Sequence, residues 1–288
     1  MKPADRPPPD LAALRARHPT YFAPLLAGRA GGLAAAIAPL LLLLFGMAWL
    51  GFFDGRLGRG MGKLGEMAVM MLPPDPGSWA RAKIYSLALV ETVAIALLGT
   101  MAAAILAFPL SLLAAKNVVA NRVLHFLTRR SLDTIRSIDT LVWALIWVNV
   151  VGLGPFAGVL ALMTSDLGTF GKLFSEAIET ADRKPVEGVV STGASPLLRL
   201  RFGILPQVFP VIASQILYYF ESNTRSATII GIVGAGGIGM HLAEQIRTLE
   251  LQQVSFIVLL ILLAVMAIDW VSAKIRFAII GRSNTRKE

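Results

Sequence analysis

The sequence predicts an all-α integral membrane protein with six transmembrane helices. Three observations carry that expectation. First, 55% of the 288 residues are hydrophobic and only 16% are charged, with a mean hydropathy of +0.66. A soluble domain carries about 25% charged residues. An ordinary soluble enzyme, a disordered chain and a nucleic-acid module are therefore excluded. Second, five runs are uncharged over a length that crosses a bilayer or nearly so. Third, the net charge of +9, from 27 Lys and Arg against 18 Asp and Glu, is spread over the loops with a strong bias. In a soluble protein such a balance points to a polyanionic partner. In an apolar chain it reports loops held on the cytoplasmic side.

The elements follow in order. Residues 1–29 are polar, basic and Pro-rich, with no apolar segment of the kind a cleavable leader carries. They read as a cytoplasmic tail, within which 10–18 suits a short amphipathic surface helix or simple disorder. Residues 30–53 make the first uncharged run, 24 residues long. Residues 57–72 mix glycines with apolar side chains and stop at Pro73-Pro74-Asp75-Pro76. They read as an external helix lying on the membrane surface, within an external segment 54–83. The second run, 92–115, can extend back past Glu91 to residue 84, and Pro109 bends it without preventing insertion. Glu91 itself reads as a marker of membrane entry.

The third run, 140–165, contains Gly152-Leu153-Gly154-Pro155. It is either one helix or a hairpin. As a hairpin, with the N-terminus inside, the loops 1–29, 116–139, 166–208 and 274–288 carry five Lys or Arg each, 20 in all, against 6 outside. As one helix the split is 11 inside against 15 outside. The positive-inside rule selects the hairpin, six spans and two cytoplasmic termini. The spans then occupy 30–280, with a short cytoplasmic tail at 281–288. The fourth run, 202–220, continues past Glu221 and Arg225 to residue 240. The last, 251–268, is followed by Trp270 and Lys274, which suit an interfacial anchor.

Catalytic chemistry has little to work with. There is no Cys, which excludes disulfides, thiolate metal sites and a Cys nucleophile. His18, His125 and His241 are far apart, so no His-rich metal site is expected, and no hydrolase constellation is present. No Gly-x-x-x-x-Gly-Lys-Ser/Thr loop occurs, so any ATP must be hydrolysed on another polypeptide. The basic loops lack interleaved aromatics, which disfavours nucleic acid.

Three features stand out. The inner loop 166–208 holds ten charged residues, five of each sign. Two short helices are expected in it, the first over 171–192. Gly193 suits a left-handed helix end, Ser195 an N-cap and Pro196 the first helical position. The second helix, with Arg199 and Arg201 among leucines, should end before Pro206, which opens the next span. An exposed helix–turn–helix suits a docking knob; a structural connector fits the composition equally well. Next, Glu221 and Arg225 are an i,i+4 pair in favourable order, near the middle of a span over 209–236. A charge there costs about 2.5–3.5 kcal/mol on insertion scales. They are either a mutually neutralising pair or part of an oxyanion pathway with Asn223, Ser226 and Thr228. Third, Gly231, Gly234, Gly236, Gly237 and Gly239 close that span. Their G-x-G-x-x-G match is not a nucleotide site, because it does not follow a strand in a βαβ unit. Close helix packing or a gate are the two readings.

The residues Glu187, Gly193, Leu205 and Pro206 fall at the spacing of the EAA loop of ABC importer permeases. The chain departs from that pattern at Gly188 and Val189, where Ala is usual, and at Gly203, where Ile is usual. The wider run from Gly193-Ala194-Ser195-Pro196 through Leu205-Pro206, then Phe220 to Arg225, then Gly231 to Gly239, resembles the phosphonate ABC-transporter permeases (PhnE type). The resemblance covers roughly 55–280. It implies a MetI-like fold and a loop, 176–206, seated in a groove of a separate ATPase. It also implies a homodimer, two ATPase subunits that bind ATP and Mg, an external phosphonate-binding protein, and alternating access in the inner membrane. Phosphite or a similar oxyanion is an allied substrate. Under that resemblance Arg199 and Arg201 pair with acidic residues of the ATPase or remain solvated. The rival from another class is an ion-coupled secondary transporter using Glu221 and Arg225. Such carriers often pair two broken segments; only one is visible here.

Overall fold

A computed structural model describes residues 29–52, 55–119 and 121–284, together with Ala12, Ala16 and Arg17. Of the candidate surface helix at 10–18 only those three residues are described, each in helical conformation; the rest lies outside the described residues. Two compact units are present, 1–67 and 68–288. All regular structure among the described residues is helical.

The first unit contains α1 (Arg29–Trp49) and most of α2 (Arg56–Met70). From Ala34 to Trp49, α1 is an apolar helix, with Phe45 and Trp49 in ring contact at 5.9 Å. The expected helix after residue 56 is α2, and it ends just ahead of Pro73-Pro74.

The second unit begins its bundle with α3 (Trp79–Ala114), started by Ser78, whose hydroxyl accepts from the Arg81 N–H. At 36 residues it is about 54 Å long, so its ends project beyond a hydrocarbon core of about 30 Å. Pro109 sits inside it without ending it. The small residues Ala96, Gly99, Thr100, Ala103 and Ala107 recur at helical spacing on its buried face. They let α6 (Pro155–Glu179) approach closely, as small residues do in membrane helix pairs. Its other face exposes Leu87, Val90, Leu98 and Ile105.

Between them lie α4 (Arg122–Arg136) and α5 (Thr140–Val151), bent by 86° where they meet. Asp139 makes the corner, its carboxylate accepting from the Leu141 N–H at 2.8 Å. The chain does break at Gly152-Leu153-Gly154-Pro155, so the third run is two helices, α5 and α6. Residues 166–175 extend α6 as a hairpin requires, whereas 131–139 turn away instead of lengthening α5.

Next come α7 (Arg183–Ser191), the single turn α8 (Pro196–Leu198), a π-helical stretch (Arg199–Ile204) and α9 (Leu205–Ile232). Two sequence expectations are corrected here. The helix expected over 171–192 is interrupted at Thr180–Asp182, where the Asp182 carboxylate restarts the chain by accepting from the Lys184 N–H. The helix begun at Pro196 does not end before Pro206. It widens into the π turn, in which Leu205 donates to the Leu200 carbonyl five residues back, and runs on as α9. Proline lacks the N–H that an α turn would use and clashes with the carbonyl four residues back. The wider turn accommodates both.

After Ile232 the glycine-rich segment leads to α10 (Ile238–Arg247) and then α11 (Leu251–Asn284), far longer than the 251–268 run. Among the described residues, three helices are long and apolar enough to cross a membrane: Trp79–Ala114, Pro196–Ile232 and Leu251–Ala278. The other helices expected to span, α1, α5 and α6, do not pass by themselves as long apolar spans; Ala34–Trp49 is a shorter apolar helix, and α5 reaches that length only together with α4. Lys274 stands over the Trp270 ring at 3.7 Å near the end of α11, the pairing expected of an interfacial anchor.

Candidate coupling knob and translocation residues

The knob is built from local chemistry. Gln207, in α9, clamps the start of α7: its Oε1 accepts from the Asp182 N–H at 3.0 Å, and its Nε2 donates to the carbonyls of Asp182 (3.2 Å) and Gly203 (2.6 Å). Gly203 lies against Val186, where an added Cβ would come within 3.1 Å of the Val186 Cα. That contact explains the departure from Ile at this position. α7 ends at Thr192, and Gly193 turns the chain at φ +80°, donating to the Val190 carbonyl at 2.9 Å. Ser195 follows as N-cap in extended geometry and Pro196 takes the first helical position. Ser195 makes no side-chain cap bond; its carbonyl accepts from Arg199 at 2.9 Å. Ala194 is half-buried, and Glu187, Gly193, Ser195 and Pro196 are exposed. The apex also exposes Leu197 at 78% and Phe202 at 58%, beside Val190 and Leu198.

Arg199 is committed within the chain. Its Nη2 donates to the Asn117 carbonyl at 2.9 Å. Asn117 in turn donates to the Ile178 carbonyl, and the neighbouring Glu179 accepts from the Lys116 N–H at 2.9 Å and pairs with Arg129 at 3.2 Å. Arg201 lies over the Phe202 ring at 5.4 Å. Leu205 packs on the core formed by Ala103, Ala107, Phe170 and Phe174, while Pro206 is exposed.

The intramembrane pair is present but shared. The Glu221 carboxylate stands 3.7 Å from Arg225 Nη1 and 3.3 Å from Arg276 Nη2. Two guanidinium groups face one carboxylate, so the cluster does not neutralise itself. Arg276 was counted by sequence among the loop cations after residue 274; only the length of α11 returns it to the bundle. Gln207, Ser214, Tyr218, Glu221 and Arg225 recur at spacings of three, four and seven and so share one face of α9.

Asn223 lies on another face. It is buried, and its amide donates to Thr100 Oγ1 at 2.8 Å and to the buried Asp166 carboxylate. This joins α3, α6 and α9 through their polar side chains. Thr228 is also buried, bonded back to the Thr224 carbonyl, and Ser226 is half-buried. The structure thus brings Glu221 and Arg225 together and separates them from Asn223 and Thr228.

Gly231, Gly234, Gly236, Gly237 and Gly239 are all buried. They allow backbone to meet backbone: a Cβ on Gly239 would fall 2.0 Å from the Thr228 carbonyl oxygen. Glu91 does not merely mark membrane entry. Its Oε1 accepts from the Gly237 N–H at 2.9 Å, and Thr92 Oγ1 accepts from the Ile238 N–H at 2.8 Å. A carboxylate and a hydroxyl from α3 thereby cap the N-terminus of α10, where the helix dipole favours negative charge. No sequence signal links residues 146 positions apart. The segment lines a cleft of about 960 Å³ with Glu91, His241, Glu244 and Arg247.

Comparison with known proteins decides the family. Residues 107–279 match the binding-protein-dependent transport system inner membrane component. The chain belongs to that family. Among its relatives is HtxC of Stutzerimonas stutzeri, a permease assigned to a phosphite transport system. It is 39% identical over 233 residues, covering 81% of this chain and 80% of that protein. The phosphate-import permease PhnE of Mycolicibacterium smegmatis is 39% identical over 186 residues, covering 65% of this chain and 35% of its own. The fold is also that of a chain of the MetNI methionine ABC transporter, solved facing inward. That likeness has a TM-score of 0.62 at 17% identity and covers 70% of this chain and 99% of the other. The permease is accordingly a membrane transport component and not a catalytic subunit. The ion-coupled carrier reading falls with this assignment.

Proposed function

We propose that the chain is the membrane-spanning subunit of an ATP-driven importer that moves phosphonate, or a related phosphorus oxyanion such as phosphite, by alternating access. Two copies form the pathway between them, in the inner membrane with both termini cytoplasmic. Each copy offers the knob 176–206 to a cytoplasmic ATPase subunit, which binds ATP and Mg, and a periplasmic binding protein delivers the anion. The observation that carries the coupling is the apex around Gly193, where Leu197 and Phe202 stand exposed beside Val190 and Leu198 on a clamped loop. An exposed apolar apex of that kind suits burial in a partner's groove. Arg201 supports the charged rim of that contact, whereas Arg199 is held by Asn117. The names of the relatives support the substrate class, and Arg225 on the polar face of α9 supports an anionic path. The glycines 231–239 serve helix packing in this reading.

The test is reconstitution of the permease with its ATPase and binding protein in proteoliposomes. ATP-dependent uptake of phosphite or methylphosphonate is expected, and it should require the binding protein. A folded permease that captures no cognate ATPase would refute the reading.

A further inference from the structure

A second cleft, of about 460 Å³, opens beside the Glu221 cluster and is lined by Gln207, Ser214, Gln215 and Tyr218 from α9 and by Arg276 from α11. Several of its polar atoms are already engaged. Gln207 holds the knob, Ser214 donates to the Pro210 carbonyl at 2.8 Å, and Arg276 Nη2 faces Glu221. Two others, Gln215 Oε1 and Arg276 Nε, are buried with no hydrogen-bond partner. An unpaired buried group costs about 1–3 kcal/mol. One of these atoms accepts a hydrogen bond and the other donates one. The cluster beside them carries two guanidinium groups against a single carboxylate. Asp269, the next carboxylate back along α11, is two turns, or about 10 Å, away.

We infer that Arg276 and Gln215 form a transient binding site for a singly protonated tetrahedral phosphorus oxyanion on its way through the permease. This rests on the substrate class proposed above and adds the residues that hold the anion. Such an ion presents both kinds of group that the cleft lacks. Its charged oxygens accept from Arg276 Nε–H and Nη2–H, the paired edge of the guanidinium fork. Its P–OH donates to Gln215 Oε1. When the anion takes Arg276, Glu221 keeps Arg225. When the carboxylate returns to Arg276, the anion leaves. Glu221 therefore acts as an internal competitor that keeps the site weak enough for release.

The experiment uses the full complex of permease, ATPase and binding protein, with transport expressed per assembled complex. Wild-type uptake of phosphite and methylphosphonate is measured before any variant, since failure there refutes the substrate class itself. Arg276→Gln, which can keep one amide donor but loses the charge and the second hydrogen bond, is then expected to raise the KM for phosphite about tenfold, and Arg276→Lys to recover part of it. Glu221→Gln, which removes the competitor, is expected to lower both KM and kcat. Lys274→Gln, a charge removed two residues away, is expected to leave transport unchanged. Phosphorus NMR of delipidated complex lacking the binding protein should show phosphite line broadening that Arg276→Gln abolishes. Unchanged kinetics in Arg276→Gln would overturn the site, as would an equal loss in Lys274→Gln. A phospholipid that copurifies with wild type and is lost from Arg276→Gln, with no phosphite broadening, would assign the cleft to a lipid headgroup and also overturn it.

Discussion

Gly193→Val offers the cleanest test of the coupling knob. A Cβ on Gly193 meets nothing within 4 Å, so the branch point of the new side chain has open space. What it changes is the backbone, held at φ +80°. A left-handed conformation costs an L-residue about 1–2 kcal/mol, and a β-branched one sits at the unfavourable end. One or two kcal/mol is a factor of roughly 5–30 in population. Apparent affinity falls by the fraction of loops that keep the docking shape. The dissociation constant for the ATPase should therefore rise about 5–30-fold in Gly193→Val. Gly193→Asn should stay near wild type, because Asn tolerates this conformation. The assay is titration of labelled ATPase against nanodisc-embedded permease, with equal membrane insertion confirmed for all three chains. Equal affinity for the Val variant and wild type would refute the reasoning, and so would equal losses for Val and Asn.

Other perturbations test other parts of the molecule. Asn223→Leu leaves the buried Asp166 carboxyl without its amide partner and should lower thermal stability in detergent by about 1–3 kcal/mol; the double change with Asp166→Leu should recover most of it. Gly239→Ala should reduce the folded fraction sharply, since its Cβ would lie 2.0 Å from a carbonyl oxygen, whereas Gly58→Ala, with nothing within 4 Å, should not. Thermal scans of both report the difference. Asp133, near the C-terminal end of α4, is held below its usual 3.8 chiefly by a hydrogen bond from Lys172. Its contribution is present above pH 3.8 and is lost as pH falls through the depressed value, so Asp133→Asn should flatten stability only in that acid window.

The parts legible in the sequence were those set by local rules. Gly193, Ser195 and Pro196 announce a turn and a helix start, and the structure places both there. The break at Gly152–Pro155 followed from counting loop charges. Pro206 misled because proline signals a helix end unless a π turn absorbs it, and that depends on six residues acting together. The Thr180–Asp182 interruption has a visible cap in Asp182 but needs Gln207, 25 residues on, to hold it. Arg276 was passed over because a cation just past an apolar run counts with the loop charges. Asn223 was seen as polar in a span, but its partners Thr100 and Asp166 come from helices that only the fold assembles.

The bonds around Asn117 form a closed load path. Arg199 ties the knob to the loop after α3, and that loop ties to the end of α6 through Ile178 and Glu179, which Arg129 fastens to α4. A force applied at the apex thus reaches α3, α6 and α4 as well as α9. In the proposed dimer, residues 68–288 of each copy should move as one stiff block under that load, with the compliant joint lying between copies. Spin labels at Ser195 and Arg122 should keep their separation through the ATP cycle, while the distance between the two Ser195 labels of a dimer changes.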